Sequence, residues 1–235
     1  MKISVCIATY NGEKYILDQL HSILPQLRKN DEVIISDDSS SDKTLELIKS
    51  LKDHRIKIFA HNHYRNPVYN FQHALRQATG EVIFLSDQDD LWLEGKVDAV
   101  CKALESADVA VTDCKIVDDD LNVLTESYFK FRKSGKGLIK NLYSNKYLGC
   151  CMAFKRKILE KALPFPPRLP MHDIWLGFIS ELFYKSVFIP VPYILHRRHL
   201  SNTSSTSQKS ETSLIKKVSF RWNTIKHWPN VLFRR

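Results

Sequence analysis

Short apolar runs alternate with segments of helical spacing over the first 112 residues, and this alternation restricts the chain to one class of fold. Ile3 to Thr9, Glu32 to Ser36, Ile56 to Ala60, Glu81 to Ser86 and Val109 to Thr112 read as strands. Between them Ile16, Leu20, Ile23, Leu24 and Leu27 fall at helical spacing, as do Leu45, Ile48 and Leu51, and then Val97, Val100, Cys101 and Leu104. Strands that cross over through helices pair largely in parallel, so the expectation is α/β: a mostly parallel central sheet flanked by helices. Ligands of such sheets sit beyond the carboxyl ends of the strands, which directs the search for chemistry to the residues just after each one.

Past residue 113 the pattern weakens. Val117 to Val123 reads as a hairpin and Phe129 to Lys146 as a basic, loop-like region; apolar strands near Cys150 to Phe154 and Val187 to Ile189 flank a helix after Asp173. Ser201 to Ser213 is rich in Ser and Thr and suits a mobile lid. The five cysteines include no CxxC pair, which fits neither a zinc ribbon nor a secreted disulfide framework, and a reducing cytoplasm is the simpler setting. The first residues read as a buried strand rather than a signal segment, and no run reaches the ~18 apolar residues that span a bilayer.

The net charge is +9, and residues 208 to 235 hold seven Lys/Arg against one acid, Glu211. With Trp222, Trp228 and Phe233 among its apolar residues, this tail suits a basic amphipathic helical extension on an anionic membrane surface; a terminal helix packed on its own domain fits the same residues.

Three strand ends carry the chemistry. Thr9-Tyr10-Asn11-Gly12-Glu13 follows the first, and Asp37-Asp38-Ser39-Ser40-Ser41-Asp42 the second. Ser41 or Asp42 suits a helix cap, but the adjacent pair Asp37 and Asp38 repel each other and call for a bound partner. After the fourth strand, Asp87-Gln88-Asp89-Asp90 places three acids within four positions, a concentration of hard oxygen ligands that suits Mg²⁺ or Mn²⁺ and, through it, a diphosphate. Asp118-Asp119-Asp120 sits in a hairpin and reads as a solvated turn.

Together, Val5 to Gly12, Ile35 to Asp42 and Gly80 to Trp92 resemble the successive motifs of family 2 glycosyltransferases, inverting enzymes with the GT-A fold. The resemblance covers roughly residues 1 to 205, with a nucleotide-binding half (1 to 112) and an acceptor-binding half (113 to 205), and leaves the tail, 206 to 235, uncovered. It implies that Thr9, Tyr10, Asn11, Glu13, Asp37 and Asp38 hold the nucleotide, with Asp38 on the pyrimidine ring and Asn70 a further contact. Tyr64 to Val68 lacks the glycine often found there. Asp87-Gln88-Asp89 matches the family's DxD, with Asp89 the metal ligand, Asp87 on ribose or metal, and Gln88 beside them. Asp173 matches the catalytic base; residue spacing alone fits a helix-capping Asp equally well. Leu195 to Asn202 resembles the basic closing segment, in which His199 reaches the metal or diphosphate and Arg197 or Arg198 offsets charge on the leaving nucleotide, although a surface basic patch fits as well. Gly149 to Met152 resembles the acceptor-side strand, its cysteines packing residues.

The expected function is therefore transfer of a sugar from a UDP- or dTDP-sugar to a hydroxyl of a glycan, lipid-linked at the inner face of the cell membrane. The forms of the motifs look most like bacterial enzymes of O-antigen and capsule synthesis, rhamnosyltransferases among them. The alternative is a nucleotide-sugar-binding or nucleotidyl-transferring protein on a related sheet, which has no need of Asp173. Nucleic-acid binding is disfavoured because the acids occupy the ligand edge and the positive excess sits in the tail. No Walker-type glycine loop is present, which argues against a phosphate-hydrolysing motor.

Overall fold

The computed structural model describes residues 1 to 143, 145 to 199, and 226, 227, 229 and 231. The predicted strands all form: β1 (Ile3–Thr9), β2 (Glu32–Asp37), β3 (Ile56–Phe59) and β4 (Val82–Ser86) lie in the order β3-β2-β1-β4, every pairing parallel. β1 is central, paired with β2 and β4, which is why it is buried almost throughout and largely apolar instead of alternating. The helices α1 (Ile16–Ile23), α2 (Thr44–Ser50), α3 (Pro67–Gln77) and α4 (Lys96–Leu104) make the crossovers, with α3 packed on β1 and β2.

Beyond β4 the sheet continues through a short β5 (Leu91–Trp92), β6 (Val109–Val117), β7 (Val123–Thr125), β8 (Met152–Lys155) and β9 (Ser186–Arg197). β8 runs antiparallel between β4 and β6, and β9 runs parallel to β6, so the predominant direction of the sheet is kept. The expected hairpin is the β6–β7 turn. The predicted strand at Val187 to Ile189 extends to Arg197. Pro190 and Pro192 do not end it: the register shifts between Thr112 and Asp113 of β6, where β9 passes from Ile189 to Pro192, and a bulge absorbs the residues that lack an N–H. Near its end Ile194 and Leu195 pair with Trp92 and Leu91, so β9 brings residues 196 to 199 beside Asp87 to Asp90.

Phe129 to Lys146 is not a plain loop. It holds most of α5 (Tyr128–Arg132), capped by Ser127 Oγ, which accepts from the Lys130 N–H at 3.1 Å, and α6 (Leu138–Tyr143). Gly149 to Cys151 forms a 3₁₀ turn before β8, and α7 (Ile158–Ala162) precedes α8 (His172–Phe183), the helix expected after Asp173. Among the described residues no helix is long and apolar enough to cross a membrane. The lid at 201 to 213 and nearly all of the tail fall outside the described residues. Val231 is described: it is fully buried in the core, and its carbonyl accepts from Lys161 Nζ at 3.5 Å.

Candidate active site

A cleft of about 860 Å³ opens at the carboxyl end of the parallel strands, lined by Thr9, Tyr10, Asn11, Asp38, Asn70, Asp87, Gln88, Asp89 and His199 among others. That volume lies in the range of roughly 300–1,000 Å³ typical of small-ligand sites. Nine of the residues singled out in the sequence thus meet in one cavity; Glu13, Asp37, Asp173, Arg197 and Arg198 do not line it.

Much of this polar wall is knit to itself. Asp37 is fully buried and its carboxylate accepts from Thr9 Oγ1 (2.8 Å), the Ser40 N–H (2.9 Å) and Ser40 Oγ (2.6 Å), so protein donors answer the repulsion that the adjacent pair implied. Asp38 accepts from the Tyr64 N–H (2.6 Å) and the Asn66 N–H (3.3 Å) and so braces the segment before α3. There His61 and Arg65 take positive φ, supplying the turns for which a glycine was missed, and Asn66 caps α3 ahead of Pro67. Asn70 accepts from Ser36 Oγ (2.6 Å) and donates to the Thr9 carbonyl (3.2 Å). Asn11, at φ 47, accepts from the Ser41 N–H (2.9 Å), while Glu13 accepts from the Lys43 N–H (2.9 Å) at the start of α2.

The acids after β4 fall into two sets. Asp89 Oδ2 lies 2.9 Å from His199 Nε2, and the His199 ring stacks on Tyr15 at 4.7 Å. Asp90 Oδ1 lies 2.9 Å from His196 Nδ1 and accepts from the Arg197 N–H at 3.0 Å. Against burial, which opposes both charges, the two partners hold Asp90 below the usual carboxylate range and His196 well above the usual imidazole range: a buried ion pair. Burial, then Asp90 and Asp89, push the Asp87 carboxyl well above its ordinary value. Such crowding of negative charge at a cleft wall is what a divalent cation relieves.

Two donor sets could take one. Asp89 with His199 offers a hard oxygen and an imidazole nitrogen facing the cleft, with Asp87 alongside. Asp87, Asp90, Cys150 and His196 bring one ligand atom each within 4.8 Å of one another. In that second set Asp90 and His196 already neutralise each other, and the Cys150 thiol is pushed well up and stays protonated, so the first set fits Mg²⁺ or Mn²⁺ better.

Asp173 sits in the first turn of α8, one residue behind Met171 and His172 of the cleft wall. Its Oδ2 accepts from Asn145 Nδ2 at 3.0 Å, and Oδ1 has no hydrogen-bond partner. Burial pushes the carboxyl up to about 6, with nearby N–H groups of Ile174 and Gly149 easing the charge. His172 stacks on Phe71 at 4.0 Å with both ring nitrogens unpartnered, and burial pulls its pKa down to about 3, leaving it neutral. Arg197 lies over the Tyr15 ring (4.7 Å) and toward Asp18 (3.7 Å), the backbone N–H of Arg198 donates to the Val117 carbonyl, and neither residue lines the cleft. The sequence reading missed Asn145, His172, His196 and Tyr15. Of these, His172 and His196 had a sequence signal, His172 as the neighbour of Asp173 and His196 as a member of the Leu195 to Asn202 segment.

This is the GT-A fold, with an acidic cleft at the carboxyl end of its parallel strands. The family described as Glycosyl transferase family 2 matches residues 4–163, and the chain belongs to that family. Over 226 residues it is 24% identical to the UDP-Glc:alpha-D-GlcNAc-diphosphoundecaprenol beta-1,3-glucosyltransferase WfgD of Escherichia coli, covering 95% of this chain and 85% of that one. Among solved structures, S. aureus TarS 1-349 in complex with UDP-GlcNAc superposes with TM-score 0.71 at 19% identity over 97% of this chain and 73% of that one. The mannosyltransferase PcManGT of Pyrobaculum calidifontis, in complex with GDP-Man and Mn²⁺, does so with TM-score 0.62 at 20% identity over 86% and 58%.

Proposed function

We propose that the chain is a metal-dependent, inverting hexosyltransferase that moves a sugar from a UDP- or dTDP-sugar to a hydroxyl of a lipid-diphosphate-linked glycan in bacterial surface polysaccharide synthesis. The observation that carries the reading is Asp173, a buried carboxylate raised to about 6 directly behind the cleft wall formed by Met171 and His172, with one oxygen held by Asn145. In this role the Asp173 carboxylate takes the acceptor hydroxyl proton while the hydroxyl oxygen attacks the anomeric carbon, and the bond from that carbon to the diphosphate breaks on the opposite face. Thr9, Tyr10, Asn11, Asp38 and Asn70 cradle the nucleoside; Glu13 and Asp37 act from behind, by holding the loops.

Asp89 and His199, with Asp87, hold the Mn²⁺ or Mg²⁺ ion, which supplies neutralisation of the diphosphate. The Mn²⁺ bound by the mannosyltransferase neighbour supports a metal, and the UDP-sugars in the names of WfgD and TarS favour UDP over dTDP. The diphosphoundecaprenol acceptor of WfgD supports a lipid-linked acceptor and hence work at the inner face of the membrane, with the basic aromatic tail as one contact. Substitution Asp173→Asn tests the reading: transfer from UDP-glucose to an undecaprenyl-diphosphate-linked sugar should fall about 10²–10⁴-fold while UDP binding is kept. Near-normal turnover in that variant would remove Asp173 from the role.

A further inference from the structure

Ser127 to Lys146 carries six Lys/Arg residues and no acid. Within it α5 lays Tyr128 in the core and Phe129 against Phe188, with ring centroids 5.5 Å apart, and turns Lys130 and Phe131 outward, Phe131 being 51% exposed. α6 keeps Leu138 against the core and leaves Ile139 83% exposed beside an exposed Lys140. Lys133 and Lys136, between the helices, are exposed too. The cations crowd together in space: Lys146 Nζ donates to the Arg132 carbonyl at 2.6 Å, and burial together with Arg132, Lys140 and Lys133 lowers the Lys146 pKa.

Single exposed apolar residues are ordinary, but a Phe and an Ile turned out of a cation-rich segment that itself holds no acid leave two costs that folding does not relieve, like-charge repulsion and apolar hydration. A surface that relieves both carries negative charge over an apolar interior. The segment also has a fixed place relative to the site. It includes Asn145, which holds Asp173, and the Gly137 N–H donates to Glu181 Oε1 at 3.1 Å, so α6 rides along the helix whose first turn carries Asp173.

We propose that the α5–α6 surface, with Phe131, Lys133, Lys136, Ile139 and Lys140 at its centre, docks the protein on an anionic phospholipid bilayer. Phosphates answer the lysines, and the two apolar tips enter the headgroup boundary. The inference rests on the reading of the acceptor as lipid-linked, since a bilayer on this face presents such an acceptor beside Asp173. It assigns the membrane contact to the folded body, independently of the tail.

The test is co-sedimentation of the full chain with phosphatidylcholine vesicles containing phosphatidylglycerol, against phosphatidylcholine alone, with neither donor nor acceptor present. Wild type should bind the anionic vesicles only. Lys133→Gln/Lys136→Gln/Lys140→Gln should weaken binding about a hundredfold, at roughly 1 kcal/mol per lysine near the surface. Lys29→Gln/Lys49→Gln/Lys52→Gln, which removes the same charge elsewhere, should leave it nearly unchanged, and Phe131→Ser/Ile139→Ser should be released at lower salt than wild type. Failure of wild type to bind, equal loss in both lysine triples, or full binding by the first triple overturns the proposal, as does unchanged salt release of the Phe131/Ile139 variant. Titration of the same proteins with UDP separates the two readings: absence of UDP binding in wild type counts against the transferase site and leaves the vesicle result to stand by itself.

Discussion

The side-chain amide of Gln88 accepts from the Tyr10 N–H at 2.9 Å and donates to the Tyr10 carbonyl at 3.1 Å. This two-point pairing fastens the loop after β1 to the acidic motif after β4, so the middle residue of that motif acts as a clamp between two walls of the cleft.

Gly12→Ala should break the clamp. A Cβ at position 12 would stand 2.6 Å from Gln88 Oε1 and 2.8 Å from its Cδ, and the amide would have to swing off Tyr10. We expect a loss of about 1–3 kcal/mol in thermal or urea unfolding and weaker UDP binding. Adding Gln88→Ala removes the clash, so the double variant should recover part of the stability, giving a coupling visible in a double-mutant cycle.

The parallel half of the fold was legible because burial on both faces makes β1, β2 and β4 largely apolar without alternation, and each apolar run gives way to polar residues at its carboxyl end: Thr9, Ser36-Asp37 and Ser86-Asp87. The cleft followed from those strand ends. What the sequence hid depends on long-range pairing. Pro190 and Pro192 looked like a strand's end, yet a bulge against β6 carries β9 on to Arg197 and delivers His196 and His199 to the acids. Asn145 lies in a basic stretch without periodicity, and its tie to Asp173 spans 28 residues. Asp37 and Asp38 read as a ligand-seeking pair because Thr9 and the backbone of Tyr64, which help to satisfy them, come close only on folding, while Ser40, three residues on, adds a local turn.

Asp173 sets a pH dependence with a definite sign. A base that ionises at about 6 requires kcat/KM to rise with pH through that value and level off above it. Its stability effect runs the other way. The folded chain holds this proton up to about pH 6 while the unfolded chain releases it near the ordinary 3.8, so ionisation costs stability as pH rises across that window. Asp173→Asn, which cannot ionise, should unfold at or above the wild-type temperature at pH 7, with the advantage shrinking toward pH 4. Calorimetric melting across that range checks this.

Lys96 gives an independent pH signature. It is fully buried, with Nζ donating to the Cys150 carbonyl at 3.1 Å and lying 3.8 Å from the Trp92 ring centroid, and burial pulls its pKa down from 10.5 to about 8. Between those values the unfolded chain binds the proton that the folded chain has shed, so stability grows with pH. Melting curves from pH 7 to 10 should show wild type gaining on Lys96→Met; parallel curves would mean that burial does not lower the Lys96 pKa in the folded chain.

The most direct test of the metal-assisted donor site is calorimetric titration with UDP, with and without Mn²⁺, of wild type and Asp89→Ala. The contact of Asp89 Oδ2 with His199 Nε2 at 2.9 Å places the two proposed ligands together at the cleft wall. UDP should bind wild type tightly only with Mn²⁺ present, and Asp89→Ala should lose the metal-dependent part. Binding that is indifferent to Mn²⁺, or unchanged in Asp89→Ala, would contradict the account.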